Sequence, residues 1–546
     1  MECNDCAVSE RAWSIAIFVS ALAFYLLTTS REPAWGDARS MWDVADHLVS
    51  RGEVITTVRW PDDAPTGRGG HYYGISPLGP SLVHVPGAAL TRMVAAGSPA
   101  HARLARPLLV HLAPAALGAL TCVLFFWLLV ELGRSRRTAS VATVILACAT
   151  TTWVYARMPY SEILQATCFL GLFRQALRVC EQPTRRQALW LGLWAGSLLH
   201  AKYVFALAIV GCAGLLVLGL RRRRAELWRT LGVAALAGLP FAALALGYNW
   251  VRWGSVTQTG YEPYLGAYFG GDLFDGLWGM VASPNKSMFL YSPPLVLAAL
   301  ALPRAVRAAP RYGLGLLTMV LPVFLVYCSY RSWSGEYAWG PRFAVWMVPV
   351  LLVPLAWALD AAHTRWQRAL VLAVVASGVA VQLLGSALYW DHFIRVAIRA
   401  KNEWLGQPDR SGSYIAERSR GHCDSCFEDT YPVLWTPAFQ PIAGNLWLLR
   451  SLARGDSAVE AQASAPWRTY TTLTVDLGDT YDRARIDWWG LLWIKDVAGT
   501  TGAGLGVLAA FLAALLWGLG RWRRLWRAAA DERGNLGAEP QAERGP

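Results

Sequence analysis

Long unbroken apolar blocks, separated by short clusters of arginine, constrain this chain more than any other feature. A block of roughly 17 to 25 apolar residues can cross about 30 Å of hydrocarbon as a helix. Inside a bilayer only helices and closed barrels satisfy their own backbone groups. These blocks run continuously instead of alternating residue by residue, so helices are expected and a barrel is not. Composition agrees. Of 546 residues, 55% are hydrophobic and only 16% charged, against about a quarter charged in an ordinary soluble domain. The expected fold class is an all-α polytopic membrane protein.

Twelve spans are expected, at about 12–29, 107–132, 139–156, 160–179, 187–201, 203–220, 229–249, 287–303, 312–329, 342–360, 369–389 and 501–519. The fifth and sixth are short. With strict alternation, each arginine cluster falls on one side: Arg134/Arg136/Arg137, Arg185/Arg186, Arg221 to Arg224, Arg304/Arg307/Arg311, Arg365/Arg368 and Arg521 to Arg527. That is the positive-inside pattern, and it makes both termini cytoplasmic. It also accounts for the net charge of +13 without a nucleic-acid partner. The first apolar run, from Ala12 to Thr28, has no small-residue cleavage site and reads as a retained helix.

The spans divide the chain. Residues 1–389 form a transmembrane module with long outer loops at 30–106 and 250–286. Residues 390–500 are polar and are expected to form a small, mixed, soluble outer-face domain, with strand-like patches such as Thr469 to Leu477. The span 501–519 follows, and 520–546 is a cytoplasmic basic tail, disordered from Asp531. In the first loop, Met41 to Ser50 suggests an amphipathic helix. Leu78 to Val94, broken by Pro80 and Pro86, suggests an interfacial or re-entrant one.

Ten cysteines are scattered. Cys122, Cys148, Cys168, Cys180, Cys212 and Cys328 fall in apolar blocks and read as packing residues. Cys3/Cys6 and Cys423/Cys426 form CxxC pairs, and neither has the second pair that a zinc site needs. The second pair is open to reading as a disulfide. Most of the 28 tryptophans and 20 tyrosines sit near span ends as interfacial belts.

The chemistry-bearing residues cluster at outer span ends. Asp37 follows the first span, and Glu162 opens the fourth. Lys202 lies at the turn between the fifth and sixth spans, Lys286 precedes the eighth, and Arg342 opens the tenth. An ionisable group at a span edge is a functional candidate. The bland alternative for Glu162 is an ion pair with Arg157. Outward cations run against the positive-inside trend. Snorkelling explains any one of them, whereas an anionic phosphate explains them together.

Four segments then resemble the GT-C superfamily of membrane glycosyltransferases, near the protein O-mannosyltransferases (glycosyltransferase family 39) and the lipid A aminoarabinose transferases. They are Gly36-Asp37 with the Gly52-Glu53 turn, Gly70-His71-Tyr72-Tyr73-Gly74-Ile75-Ser76-Pro77-Leu78-Gly79-Pro80, Ser283 to Pro293, and Trp339-Gly340-Pro341-Arg342. Together they extend the similarity over residues 12–360. The resemblance implies a GT-C-like fold and a polyprenyl-phosphate-linked sugar donor. It also implies transfer at the outer face, in a bacterial inner membrane. Asp37 matches the essential acid of the first loop, and Glu162 is placed like the second acid. Lys202 and Arg342 are placed like the cations that hold the lipid phosphate. Lys286, Tyr291 and Arg157 are grouped with them as donor-phosphate contacts, and His71, Tyr72 and Tyr73 as substrate contacts. The sequence departs from the pattern where Ala38 follows Asp37, which weakens a two-acid metal site. It departs again at Ser76-Pro77, where some lipid A-modifying relatives carry a lysine before the proline.

The expected reaction moves a hexosyl or pentosyl group to an acceptor hydroxyl on a lipid, protein or polysaccharide, with inversion and Asp37 as general base. No cofactor is expected, and a divalent metal has no support. No GxxxxGK[ST] loop is present. A transporter or lipid flippase, and a ligase or polymerase of lipid-linked glycans, remain alternatives.

Overall fold

The computed structural model describes residues 4–31, 36–59, 66–262, 265, 269–335, 337–404, 434–469, 477–491 and 501–536. Among these, backbone pairing outside helices is confined to isolated bridges: Thr56 with Tyr72, Phe269 with Tyr330, and Leu388 with Ile486. Six helices are long and apolar enough to cross a membrane: Glu10–Leu27, Pro99–Glu131, Arg224–Trp253, Pro310–Cys328, Arg365–Ala387 and Gly504–Ala529. Each of the other six expected spans falls on helix that is shorter, broken or more polar. Examples are Arg136–Ala149, Glu162–Glu181, Arg185–Ala201 and Pro294–Ala308.

Burial separates two kinds of apolar helix. The most apolar stretch of Pro99–Glu131 is 61% buried, whereas that of Arg224–Trp253 is 11% buried despite comparable hydropathy. Leu236, Leu239, Leu370, Leu372, Leu512 and Leu516 all point outward. A water-soluble protein does not expose contiguous apolar surface on this scale. These outer helices face lipid, and the chain is an integral membrane protein.

Glu162–Glu181 runs through the middle of the bundle, with seventeen of its twenty residues buried. It packs against Pro99–Glu131, Arg185–Ala201 and the tight helical turns of Arg342–Met347. Phe169 meets Trp346 edge to face at 4.6 Å. That geometry is favourable for aromatic rings beyond the area it buries. Because this helix is central, its N-terminal residue, Glu162, is delivered to the core of one end of the bundle.

Three expectations change in the first loop and at the C-terminal end. The amphipathic helix is longer than expected, Gly36–Arg51, and takes Asp37 into its first turn, where a carboxylate suits the helix dipole. Its apolar face buries Trp42, Val44 and Ala45. The expected interfacial segment forms two helices, Leu78–Leu82 and Val85–Gly97, broken at the residues before Pro86. The last helix does not stop at 519. It continues as Thr501–Leu536, with the Trp522 indole donating to Ser140, so residues expected in a basic, disordered tail are helical.

The described parts of 390–500 are helical: Asp391–Trp404, Pro441–Arg454 and Ala458–Ala463. They share one apolar cluster with Tyr155, Tyr291 and Trp339 of the helical body. The strand-like patch lies almost wholly outside the described residues, as do Cys3, Cys423 and Cys426.

Candidate active site

Four chain segments converge at one end of the bundle. The Arg342 Nε donates to Glu162 Oε1 at 2.5 Å, and its Nη2 donates to Asp37 Oδ2 at 2.9 Å. One guanidinium therefore holds two carboxylates that lie 125 residues apart in sequence. Its planar fork suits this, since separate N–H groups reach separate acceptors. The guanidinium also lies 4.9 Å from the Tyr160 ring centroid. Lys202 completes the group. It caps Arg185–Ala201 in extended conformation, and its Nζ lies 4.8 Å from the Phe343 ring and 5.6 Å from Tyr327. Burial pushes the Lys202 ammonium down to about 8, and Arg342 pushes the same way, while Glu162 and Asp37 pull it up.

Asp37, Lys202 and Arg342 line a cleft of about 150 Å³, together with Ser76, Ser161 and Tyr261. Glu162 sits behind Arg342 at 1% exposure. Its Oε2 has no hydrogen-bond partner among the described residues. The two acids and two cations offset one another formally, so the cleft is polar without a large net charge.

The loop that delivers Arg342 is braced from behind. Lys286 is 2% exposed, and its Nζ donates to the carbonyls of Ala338 and Gly340 at 2.5 and 3.3 Å. Tyr291 is fully buried and packs edge to face on Trp339 at 5.1 Å. Tyr155 donates its hydroxyl to the Trp339 carbonyl. Two glycines permit this path. Gly335 and Gly340 have φ of +74° and +72°. A Cβ at Gly335 would sit 2.4 Å from Arg342 Cβ, and one at Gly340 would sit 2.7 Å from the Tyr291 ring. Any side chain there would be strained and would displace Arg342.

Several residues expected at the site stand elsewhere. Arg157 is fully buried, and its Nη2 lies 3.1 Å from Asp487 Oδ2. It also donates to the Thr28 carbonyl. The simple Arg157–Glu162 pair is thus replaced by two pairs, Arg157–Asp487 and Arg342–Glu162. Lys286 and Tyr291 support the Arg342 loop from inside and do not line the cleft. His71 is exposed, Tyr72 pairs with Thr56, and Tyr73 donates to the Arg68 carbonyl. It is the following stretch, Ile75 to Pro77, that reaches the cleft.

Other contributors emerge only from the fold. Tyr261 lines the cleft, and burial, then Asp37, raises its hydroxyl above the usual range, while a side-chain hydrogen bond with Ser76 lowers it. Arg252 is fully buried and ties two loops together, donating to the carbonyls of Gly74 at 2.7 Å and Thr259 at 3.1 Å. Its place at the end of an expected apolar span was the available signal. Among the described residues no group of three or more His, Cys, Asp or Glu is placed to hold a metal ion.

No family model matches this chain, and no curated protein matches it in sequence. Solved structures similar to it include ArnT from Cupriavidus metallidurans bound to undecaprenyl phosphate. That match has a TM-score of 0.46 and 15% identity over 81% of this chain and 75% of that one. They also include the archaeal oligosaccharyltransferase AglB from Archaeoglobus fulgidus, in complex with an inhibitory peptide and a dolichol-phosphate. There the TM-score is 0.44 and the identity 12%, over 74% of this chain and 59% of that one. Both are GT-C superfamily members.

Proposed function

We propose that this protein transfers a sugar from a polyprenyl-phosphate donor to an acceptor hydroxyl at the face of the membrane opposite its arginine-rich loops. The observation that carries the reading is the Asp37–Arg342–Glu162 arrangement with Lys202 in the same cleft. An acid that reaches solvent and two cations beside it are the groups such a transfer requires.

The acceptor oxygen attacks the anomeric carbon as the bond from that carbon to the phosphate oxygen breaks. Asp37 takes the acceptor proton, and the lipid phosphate leaves with the bonding electrons. Base catalysis of this kind contributes about 10²- to 10⁴-fold. Arg342 and Lys202 stabilise the charge that collects on the departing phosphate. Glu162, closed off behind Arg342, aims the guanidinium. A single displacement inverts the anomeric centre.

The donor's tail has a place to lie. An apolar groove of about 650 Å³ is lined towards the cleft by Val320, Leu321, Phe324, Met347 and Leu351, among others. On one wall its end lies one turn from the cleft, since Phe343 lines the cleft and Met347 the groove. Tyr327 and Phe343 stack at 5.0 Å between the two spaces.

A transporter is disfavoured because the ion cluster sits at helix ends instead of at mid-span, where substrate sites of transporters lie. The test is a screen of labelled polyprenyl-phosphate sugars with purified protein in proteoliposomes. Transfer of label from at least one of them is expected. Transfer only from nucleotide sugars, or vectorial movement of the lipid without sugar transfer, overturns the reading.

A further inference from the structure

The apolar groove continues past the membrane interior. At Pro310 and Leu314 it shares walls with a second concavity of about 440 Å³. The other walls of that concavity include Arg221, Arg222, Arg223 and Arg311. Two turns meet there. One joins Ala206–Gly219 to Arg224–Trp253, and the other joins Pro294–Ala308 to Pro310–Cys328. Both lie on the face that the arginine pattern assigns to the cytosol.

Positive loops orient a membrane protein without binding anything, so four arginines alone carry no site. Their setting is what differs. Among the described residues two carboxylates stand against the four guanidiniums. Glu226 lies 3.7 Å from Arg223, and Glu181 lies 3.6 Å from Arg311. Both pairs are solvent-exposed and therefore weak. An excess of positive charge walls a cavity that opens directly onto an apolar channel.

We propose that this is a binding site for an anionic glycerophospholipid of the cytoplasmic leaflet. Its phosphate lies among Arg221, Arg222 and Arg311, and one acyl chain lies along Val306 and Leu317. The dimensions agree. From Pro310 to Val320 a helix rises roughly 15 Å at about 1.5 Å per residue. That is one leaflet of a hydrocarbon core about 30 Å thick. The donor's tail keeps the outer half of the groove. Basic pockets between helices on the cytoplasmic side are suited to anionic headgroups. The inference rests on the chain spanning a membrane and is independent of glycosyl transfer.

The test is native mass spectrometry of the full-length protein, released from nanodiscs of equal phosphatidylglycerol and phosphatidylcholine. One retained phosphatidylglycerol is expected, at roughly tenfold preference over phosphatidylcholine. In R221Q/R222Q/R311Q the preference should fall to parity, and R221K/R222K/R311K should keep most of it. Circular dichroism and elution volume show whether each variant is folded. Inorganic phosphate at millimolar concentration should not displace the lipid, because the acyl chain contributes to binding. Equal retention of the two lipids by the parent protein, an undiminished preference in the glutamine variant, or displacement by phosphate alone would overturn the proposal.

Discussion

Arg342 donates to Glu162 across 2.5 Å, and Glu162 is almost completely withdrawn from solvent. The pair therefore has to be broken with care. Removing one partner of a buried ion pair costs about 3–5 kcal/mol, because the other charge is left unpaired. We expect R342A to lower the thermal stability of the protein in detergent as well as its use of donor. E162Q/R342A should recover most of the stability and none of the donor use. R342K should fold normally and raise the apparent donor KM about tenfold, since an ammonium lacks the guanidinium's separate donors. Full donor affinity in E162Q/R342A would remove Arg342 from phosphate binding.

Asp37 differs from Glu162 in reaching the solvent of the cleft, with 28% side-chain exposure. D37N keeps the shape and one carbonyl acceptor for Arg342 but cannot take a proton. The expected loss in kcat is about 10²- to 10⁴-fold, with a donor KM near that of the parent and an unchanged elution profile. The assay uses membranes supplied with labelled polyprenyl-phosphate sugar. Normal turnover by D37N would sink the base assignment.

These residues were legible to different degrees. The membrane class was readable because a bilayer forces crossings to be apolar helices, and six of the twelve expected spans fall on helices long and apolar enough to cross. Asp37, Lys202 and Arg342 stood out because charge at the ends of such spans needs a reason. Sequence spacing does not say which side of a loop a side chain takes, so Lys286 and Tyr291 looked like cleft residues and instead brace the loop behind Arg342. Arg157 was misassigned because its partner, Asp487, lies 330 residues further along. Arg252 and Tyr261 were missed for a similar reason. Their roles depend on Gly74, Ser76 and Thr259 being brought beside them, which local pattern does not encode.

The Lys202 ammonium, pushed down to about 8 by burial and by Arg342, gives the reaction a pH dependence. A lowered value means that the charged form persists below about 8 and is lost as the pH rises through it. Phosphate binding needs the charge, so donor KM should be flat to about pH 8 and then climb towards tenfold per unit. K202R stays charged across that range, so its donor KM should not climb. The bound donor, a phosphodiester monoanion, favours the ammonium, so the fall with rising pH should be smaller in kcat than in kcat/KM. An identical rise in K202R would assign the titration to another group.

Orientation has its own check. Val256 lies in the second long loop and is exposed. In intact cells, V256C should react with an impermeant thiol reagent, with the modified peptide located by mass spectrometry to separate it from the native cysteines. A cysteine replacing Arg222 should react only after lysis. The reverse pattern would invert the map and move the cleft to the cytosol.

The Arg157–Asp487 pair makes the last prediction. Asp487 accepts from the Ser30 hydroxyl at 2.7 Å and the Arg31 amide at 2.9 Å, besides Arg157. Trp489 donates its indole to the Leu26 carbonyl and its amide to that of Thr29. The chain from Asp487 to Trp489 thus clamps the end of the first span, a few residues before Asp37. D487N keeps the size and some hydrogen bonds but strands Arg157 as a buried, unpaired charge. We expect it to lose about 3–5 kcal/mol of stability, read as a lower unfolding midpoint in detergent. R157M/D487L removes both charges and should regain much of that stability, while leaving the Ser30 and Arg31 donors without their acceptor. If the clamp also positions Asp37, the double variant should be stable yet reduced in kcat, with donor KM little changed. A stable double variant with full kcat would confine the clamp to a structural role.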